Sequence, residues 1–503
     1  MNIEKISKKL GWLSPAMAAT VETVLRRIPA VRKKMETEYA EVLKTLEQHL
    51  KPYKGKEPSY PLLPEEGLSK EAVLDTLKRL AEKEKPKWQK GLVSGAVYHG
   101  DPEYDNFLAE AYRIYVQSNP LHADVWPGLN KMEAEIISIT AHLLGAGDSK
   151  EPIVGAVTSG GTESILLAIK TYRDKARREK GITQPEVVLP VTAHAAFDKA
   201  AHYFGLRLVK IPVDKNSVPD LRAYRRAFSS NTVAAVGSAP NFPHGTIDPI
   251  EDMARIARRK GVGFHTDACL GAFILPFARE LGAPVPPFHF EVPGVTSMSA
   301  DTHKYGYASK GTSVVLYRGE ELRRYQYFTA TEWPGGLYFS PTMAGSRPGG
   351  LIAACWAALI AQGQKGYRHA AAAILETTRK IREAVQEIHD LRLIGESLFI
   401  ITFGAAREDF NIYRVMDAMA QKGWSLNGLH RPPCLHFTVT LRHTQPGVAD
   451  KFVEDLRTSV REVKEMPQAA DGLAPVYGMA ASLPFRGMVD DLLRGYMDVM
   501  YKV

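Results

Sequence analysis

The sequence predicts an α/β fold, with a large domain built on a mostly parallel sheet and a small α+β domain at the C-terminus. Between residues 150 and 320, short apolar runs alternate with segments of helical periodicity, the pattern of a parallel sheet with helices on both faces. After residue 350, a long alanine-rich helical stretch leads into runs of mixed strand and helix pattern. We expect an N-terminal helical arm and segment at 1–115, the large domain at 116–369 and the small domain at 370–503.

The composition is that of a soluble globular protein, and its basic balance fits nucleic acid, a membrane surface or small anionic ligands, of which we favour the last. Of the 503 residues, 45% are hydrophobic and 24% are charged, and the net charge is +8. The lysines and arginines are spread along the chain and form no nucleic-acid-binding motif, so we expect no nucleic acid as a partner. Cys269, Cys355 and Cys434 are far apart and form no metal-binding or disulfide pattern, which indicates a reducing compartment and no metal.

The N-terminal part is predicted to be helical. Apolar spacing predicts helices over 36–50 and 70–85, joined by a proline-, lysine- and glycine-rich stretch that is either an ordered linker or a mobile strap. The first 34 residues have a weakly apolar middle that Pro15 and Glu22 interrupt, so they make a poor signal peptide. No apolar run is long enough to span a bilayer. We expect an arm that packs or swaps between subunits, while contact with a membrane surface stays open.

The alternating region supplies the strands and helices of the large domain. Its predicted strands are "PIVGAVTS", "EVVLPV", "RLVKIPV", "TVAAVGSAP", "GVGFHTDA", "GVTSMSA" and "TSVVLYR". Helices are predicted between them at 162–180, 195–204 and 249–260. The small domain follows a helix at 350–388 and is predicted from "LRLIGESLFIITFGA", "CLHFTVTLRHT" and helices at 410–422 and 448–465. Because parallel strands bind ligands at their carboxyl ends, polar residues that follow the strands are the candidate site residues.

Three strand-end positions carry chemistry. The turn "TSGGTES", 158–164, has glycines and free backbone N–H groups that can bind a phosphate, although many strand-to-helix turns look the same. Asp267 follows another strand, where an isolated aspartate is more often a helix cap or turn former than a ligand. Lys304 follows a third; such a lysine is usually solvated, but when desolvated it loses its proton more easily and attacks carbonyls.

Together, these groups match a ligand with a phosphate, a protonated nitrogen and an aldehyde, and pyridoxal phosphate has all three. Its phosphate would bind at the turn 160–162, its ring nitrogen at Asp267, and its aldehyde would form a Schiff base with Lys304. His194 also follows a strand and could stack on the pyridine ring, although capping the next helix explains it equally well. The sequence therefore predicts a pyridoxal-phosphate enzyme.

Longer motifs around these residues resemble one family. They are, in order, "SGGTES", "TAHAAF", "HTDACLGAF", "SADTHKYGYASKG" and "SPTMAGSRPGG", with "SGAVYHG", "SNPLHADVWPG", "NFPHGTIDP", "AACWAALI" and "VYGMAAS" around them. From about residue 92 to the C-terminus, the chain is similar to the sphingosine-1-phosphate lyases. These are pyridoxal-phosphate enzymes related to the group II decarboxylases. The resemblance implies the fold-type-I, transferase-like arrangement, with a large cofactor-binding domain and a small C-terminal domain.

The resemblance also implies roles for the matching residues. Lys304 would carry the cofactor, Asp267 would pair with the pyridinium, and His194 would stack on the ring. The cofactor phosphate would be held by Gly161, Thr162, His303 and, from the second subunit of a homodimer, Ser346.

At the substrate end, the second chain would supply Tyr98, Asn119 and His122. Together with Lys310, these residues would bind the substrate's phosphate. Tyr477, in the C-terminal domain, would close over the site. One departure from the family touches this end: Ser309 stands where the family usually has proline, which leaves the path of the loop before Lys310 open.

The implied activity is cleavage of the C2–C3 bond of a phosphorylated sphingoid base into a long-chain aldehyde and phosphoethanolamine. The base that takes the 3-hydroxyl proton stays open between freed Lys304, a tyrosine and a histidine. An amino acid decarboxylase on the same fold is the alternative, and a non-catalytic scaffold is a remote one. The eukaryotic enzymes carry an N-terminal transmembrane segment that this sequence does not show, so we expect a soluble, bacterial member in the cytoplasm.

Overall fold

The chain divides into two units. One holds residues 1–86, 428–433 and 466–503, and the other holds residues 87–427 and 434–465. The structure is a computed structural model that describes residues 15–465 and 486–503. The three-domain boundaries expected from the sequence stay a prediction.

The elements have the following bounds. The helices are α1 (Pro15–Arg26), α2 (Pro29–Leu50), α3 (Lys70–Gln89), α4 (Pro102–Ile114), α5 (Pro127–Leu143), α6 (Gly161–Lys180), α7 (Ala196–Phe204), α8 (Leu221–Arg226), α9 (Ile250–Arg259), α10 (Leu275–Glu280), α11 (Glu320–Arg324), α12 (Gly349–Gln386), α13 (Ile412–Gln421), α14 (Val448–Glu465) and α15 (Arg486–Tyr501). The strands are β1 (Ile153–Thr158), β2 (Glu186–Pro190), β3 (Arg207–Ile211), β4 (Thr232–Ser238), β5 (Gly263–Asp267), β6 (Ser297–Ala300), β7 (Ser313–Arg318), β8 (Phe328–Ala330), β9 (Tyr338–Ser340), β10 (Leu391–Leu393), β11 (Ile400–Ala405), β12 (Asn427–His430) and β13 (Pro433–Thr438).

The second unit contains a seven-stranded sheet in the order β1-β7-β6-β5-β4-β2-β3. The strands from β6 to β3 in this order run parallel, and β7 is antiparallel to both of its neighbours, β1 and β6. The carboxyl ends of β1, β2, β4, β5 and β6 therefore lie at the same edge of the sheet. This arrangement confirms the mostly parallel α/β fold that the sequence predicts.

Burial explains why these segments take these forms. β2 and β4 are buried over their whole length, as expected for strands covered on both faces. In α9, the apolar residues fall on the buried face and the arginines of the last turn lie outside it. The helices predicted at 162–180, 195–204 and 249–260 agree with α6, α7 and α9 to within one residue at each end.

The C-terminal part of the second unit is antiparallel. β10 pairs with β11 and β11 pairs with β13, which agrees with the α+β pattern predicted there. The helix predicted over 350–388 forms as α12, but it is interrupted at Gly363, which has φ 54° and ψ 173°. A residue without Cβ adopts this positive φ without strain, so the alanine-rich stretch bends at Gly363.

Most of the described part of the first unit is helical. Arg26 at the end of α1 forms a salt bridge of 2.6 Å with Asp491 of α15, and the backbone N–H of Gly487 donates to Glu22 at 3.1 Å. The predicted helices at 36–50 and 70–85 lie inside α2 and α3. Across residues 15–465 and 486–503, no helix combines the length and the apolar character that crossing a membrane requires.

Candidate active site

Six of the residues expected to bind the cofactor line one cavity of about 360 Å³. They are Gly161, Thr162, His194, Asp267, His303 and Lys304. Five of them follow the carboxyl ends of β1, β2 and β6, and Asp267 is the last residue of β5. The cavity thus lies at the edge where parallel α/β sheets bind ligands.

The turn between β1 and α6 brings the start of a helix against the loop that carries Lys304. α6 begins at Gly161, and no side chain caps its first turn, so its first backbone N–H groups are left for an anion. A Cβ atom on Gly161 would lie 2.6 Å from Oδ1 of Asp301 and 2.7 Å from Sγ of Cys269. Glycine is therefore required for this close approach.

Asp267 is held by a chain of hydrogen bonds between β5 and β6. Its Oδ1 accepts from the backbone N–H of Cys269 and from the hydroxyl of Ser299, both at 3.1 Å. Nε2 of His265 is 3.3 Å from the Ser299 hydroxyl, and Nδ1 is 2.8 Å from the hydroxyl of Ser297. Burial lowers the pKa of His265 to about 4, so this imidazole is neutral at neutral pH. The network fixes the orientation of the Asp267 carboxylate.

His194 makes a contact at the start of α7 and also lines the cavity. Its Nδ1 accepts the backbone N–H of Ala196 at 3.1 Å, at the start of α7. Its ring also lines the cavity, where Phe242 meets it edge-on with 6.1 Å between ring centroids. Capping fixes the ring's position at the cavity wall, while stacking on a cofactor stays a prediction.

Lys304 forms a salt bridge inside the cavity. Its Nζ lies 2.8 Å from Oδ2 of the buried Asp301. Burial lowers the pKa of Lys304, but the charge of Asp301 more than offsets this effect, so the pKa lies above its ordinary value. The expectation that desolvation makes Lys304 lose its proton more easily is therefore wrong for this arrangement. Burial alone would lower this pKa, but the carboxylate three residues earlier reverses the direction of the shift.

Tyr98 lies beside Lys304 of its own chain. Its ring packs edge-on against Tyr305, with 4.9 Å between centroids, and its hydroxyl interacts electrostatically with Lys304 and Asp301. The expectation that Tyr98 comes from a second chain is therefore corrected: the segment before α4 folds back onto the Lys304 loop. Burial raises the pKa of Tyr98 to about 12.

Lys310 joins the same group. Its Nζ lies 4.6 Å from the centroid of the Tyr98 ring and donates to the carbonyl of His303 at 3.3 Å. Although much of the side chain is exposed, enclosure of the ammonium and the nearby charge of Lys304 lower the pKa of Lys310 to about 8. The loop that contains Ser309 therefore turns Lys310 back toward Tyr98 and the first lysine.

Three other expected residues lie together but away from this cavity. Asn119 donates from Nδ2 to the hydroxyl of Ser346 at 3.1 Å, and its Oδ1 accepts the backbone N–H of Arg347 at 3.2 Å. His122 is exposed, and its ring lies 6.3 Å from that of Trp126. Within the described part of the chain, none of these residues lines the Lys304 cavity. Tyr477 lies outside the described residues.

The donor set of the cavity fits pyridoxal phosphate. The uncapped start of α6 and Thr162 offer N–H and O–H donors for a phosphate. In the described chain, Asp267 makes both of its hydrogen bonds through Oδ1, so Oδ2 is left to accept the N–H of a pyridinium. Lys304 supplies a primary amine for the aldehyde. Asp267, Lys304 and the helix start would therefore hold the ring nitrogen, the aldehyde and the phosphate.

Sequence reasoning missed three residues of this site. Asp301 contacts Lys304, while Ser299 and His265 support Asp267. A signal for the last two was present, because residues two apart on a strand face the same side of a sheet, as His265 and Asp267 do. Asp301 had a weaker signal, its place three residues before Lys304 in a turn.

Comparisons with known proteins identify the family. Residues 63–403 match the pyridoxal-dependent decarboxylase conserved domain. The chain is 45% identical over 481 residues to "Sphingosine-1-phosphate lyase 1" of Rattus norvegicus, covering 95% of this chain and 84% of the rat protein. The chain belongs to the sphingosine-1-phosphate lyase family. The lyase of Arabidopsis thaliana is 44% identical, with 97% of this chain and 90% of the plant protein covered.

A solved lyase has the same fold. The structure of the Burkholderia pseudomallei sphingosine-1-phosphate lyase matches with a TM-score of 0.83 and 41% identity, over 90% of this chain and 99% of that one. A glutamate decarboxylase of Lactobacillus brevis matches with a TM-score of 0.69 at 19% identity, covering 83% and 97% of the two chains, which shows the shared fold alone. Pyridoxal phosphate is the cofactor of this family, in agreement with the donor set of the cavity.

Proposed function

We propose that the chain cleaves the C2–C3 bond of phosphorylated sphingoid bases and releases a long-chain aldehyde and phosphoethanolamine. The observation that carries the proposal is that two sets of residues lie close together, one suited to the cofactor and one suited to a second phosphate. The cofactor residues line one cavity, and a second cation, Lys310, lies over Tyr98 beside the Lys304 loop. The lyase relatives make this reading stronger than the decarboxylase alternative.

The chain's own residues prepare the cofactor for this chemistry. When bound, pyridoxal phosphate supplies an electron sink for the pair released as the C2–C3 bond breaks. Asp267, oriented by Ser299, keeps a proton on the ring nitrogen and so strengthens that sink. Lys304 would hold the cofactor through its aldehyde. His194 limits the movement of the ring from the wall of the cavity.

The substrate's phosphate needs donors of its own, because the start of α6 serves the cofactor. Lys310 supplies a cation below its pKa of about 8. The Tyr98 hydroxyl is a donor whose pKa of about 12 keeps it protonated. A charge-assisted contact of this kind is worth about 1.5–3 kcal/mol. These two residues would therefore select a phosphorylated substrate over the free base.

We further propose that the active unit is a homodimer with shared sites. Asn119, His122 and Ser346 are expected at the site by family resemblance, yet in this chain they do not reach the Lys304 cavity of the described part. His122 and Ser346 are exposed, as groups that meet a second chain would be before assembly. The buried free thiols of Cys269, Cys355 and Cys434 support a cytoplasmic location, where thiols stay reduced.

The test is incubation of the purified, cofactor-loaded chain with a phosphorylated sphingoid base, followed by analysis of aldehyde, phosphoethanolamine and CO₂. We expect the first two in equal amounts and no CO₂. Lys304→Ala should form neither, and borohydride reduction should attach the cofactor to the wild-type chain at Lys304. Release of CO₂ from an amino acid without aldehyde formation would favour the decarboxylase, and a chain without a visible cofactor band would favour a scaffold.

A further inference from the structure

Asp301 is a buried carboxylate that neither the family resemblance nor the cofactor explains. Its side chain is 2% exposed, and its Oδ2 lies 2.8 Å from Nζ of Lys304. Oδ2 also lies 3.7 Å from Nε2 of His303. An ion pair of this kind costs desolvation energy and is a poor source of stability. A functional reason for placing the charge at the reacting amine is therefore required.

The surroundings keep this carboxylate charged. Both of its oxygens lie against the start of α6, at 2.6 and 2.7 Å from where a Cβ of Gly161 would be, and a helix N-terminus favours an anion. Burial raises the pKa of Asp301. The charges of Lys304 and His303 lower it by more than burial raises it, so the pKa lies below its ordinary value. Asp301 is thus an anion in contact with the Lys304 amine.

The other groups around Lys304 do not compete with Asp301 for this role. The titratable groups that face Lys304 are Asp301, His303 and Lys310 on its own loop, Cys269 after β5, and Tyr98 before α4. Burial raises the pKa of Tyr98 to about 12 and raises that of Cys269, so both are neutral at neutral pH. Among these described groups, Asp301 is therefore the anion.

We propose that Asp301 keeps the nitrogen of Lys304 positively charged, both as the free ammonium and when it is bonded to the cofactor aldehyde. The inference rests on the proposed function for its consequence in catalysis. A Lys304 held as ammonium donates a proton and does not accept the one from the 3-hydroxyl, which goes instead to one of the other two candidate bases, a tyrosine or a histidine. The N–H bond of Lys304 breaks as a C–H bond forms at C2 with the electron pair released by cleavage, and Lys304 becomes the neutral amine that can recapture the cofactor.

The experiment follows the visible absorption of the protonated lysine–cofactor linkage in the holoenzyme as a function of pH. Asp301→Asn should lower the pKa of this linkage by about one to three pH units, because an opposite charge in contact is lost. Glu163→Gln is the matched control, because it removes a carboxylate from the same cavity wall. The Glu163 carboxylate accepts hydrogen bonds from the backbone N–H groups of Ser159 and Met343 and does not contact Lys304. An unchanged linkage pKa in Asp301→Asn, or an equal shift in the control, would overturn the proposal.

The donor role has its own readout. In Asp301→Asn, kcat should fall as the pH rises through the lowered pKa of Lys304. The wild-type kcat should stay constant over the same pH range. Parallel pH profiles of kcat would contradict the donor role. If Asp301→Asn does not fold, the wild type decides alone: a visible band that persists well above neutral pH supports the proposal, and its loss below neutral pH overturns it. The linkage titration needs no lipid, so a wild type that fails on the sphingoid base would remove the proposed function and leave the Asp301 assignment standing.

Discussion

The cofactor end and the substrate-phosphate end of the site are built in different ways. At the cofactor end, Asp267 and Asp301 are buried, and each is bonded within one chain, to Ser299 and Lys304 respectively. At the other end, His122 is exposed. Buried charges need a partner within the folded chain, whereas exposed polar groups are solvated and can later bind a ligand or a second chain.

This difference predicts how each end responds to mutation. A change at the cofactor end damages the site that the same chain carries, whatever its partner is. A change among Asn119, His122 and Ser346 would damage the site of the partner and leave the chain's own cofactor end intact. Tyr98 and Lys310 form a third case, because they contact the Lys304 loop of their own chain although they serve the substrate.

The largest effect is expected at Asp267. Asp267→Asn keeps the shape of the side chain but removes the charge that holds a proton on the pyridine nitrogen. We expect turnover to fall by several orders of magnitude, while thermal unfolding and cofactor binding change much less. The measurement is single-turnover cleavage beside a cofactor titration. A mutant with nearly normal turnover would remove Asp267 from this role.

Subunit mixing tests the division of the site between two chains. Lys304→Ala and His122→Ala chains are each expected to be inactive, but a mixed dimer holds one site with both residues intact. After proven subunit exchange, the mixture should recover about a quarter of wild-type activity, since random pairing makes half of the dimers mixed and each has one good site. The measurement is the specific activity of the mixture against that of each parent.

Tyr98→Phe is the matched control for this mixing experiment. Because Tyr98 lies beside Lys304 of its own chain, a Lys304→Ala and Tyr98→Phe mixture should recover nothing, as both sites of the mixed dimer are damaged. Recovery in both mixtures would place Tyr98 across the interface as well. Recovery in neither would count against shared sites.

A smaller effect is expected one hydrogen bond away from Asp267. Ser299→Ala removes a hydroxyl that donates to Asp267 at 3.1 Å. A hydrogen bond to a charged group contributes about 1.5–3 kcal/mol, so kcat should fall roughly tenfold or more with little change in KM. Ser297→Ala, one step further along the network at His265, should have a smaller effect. Equal effects of the two variants would mean that the network acts through stability alone, which thermal unfolding would show.

The sequence predicts the regular parts of this molecule better than its loops. β2 and α9 follow from apolar periodicity, and Asp267 and Lys304 follow from their places at strand ends. The partner of Lys304 was missed because the contact with Asp301 depends on how one turn folds against the start of α6. Tyr98 was assigned to a second chain by family resemblance. Its contacts with Tyr305 and Lys310 of its own chain could not be predicted, because these residues lie far along the sequence and no periodic pattern connects them.

The smallest effect is expected in the pH dependence of phosphate binding at Lys310. The pKa of Lys310 is lowered to about 8, so its ammonium is charged below that pH and loses its proton above it. KM for the phosphorylated base should therefore rise a few-fold as the pH increases through 8, while kcat changes less. Lys310→Arg is the sharpest comparison, because arginine stays charged and every other titrating group is shared. The arginine variant should lose the rise in KM above pH 8, even if its KM at neutral pH is higher. The same rise in both proteins would mean that another group titrates, and the substrate's phosphate would not be bound by Lys310.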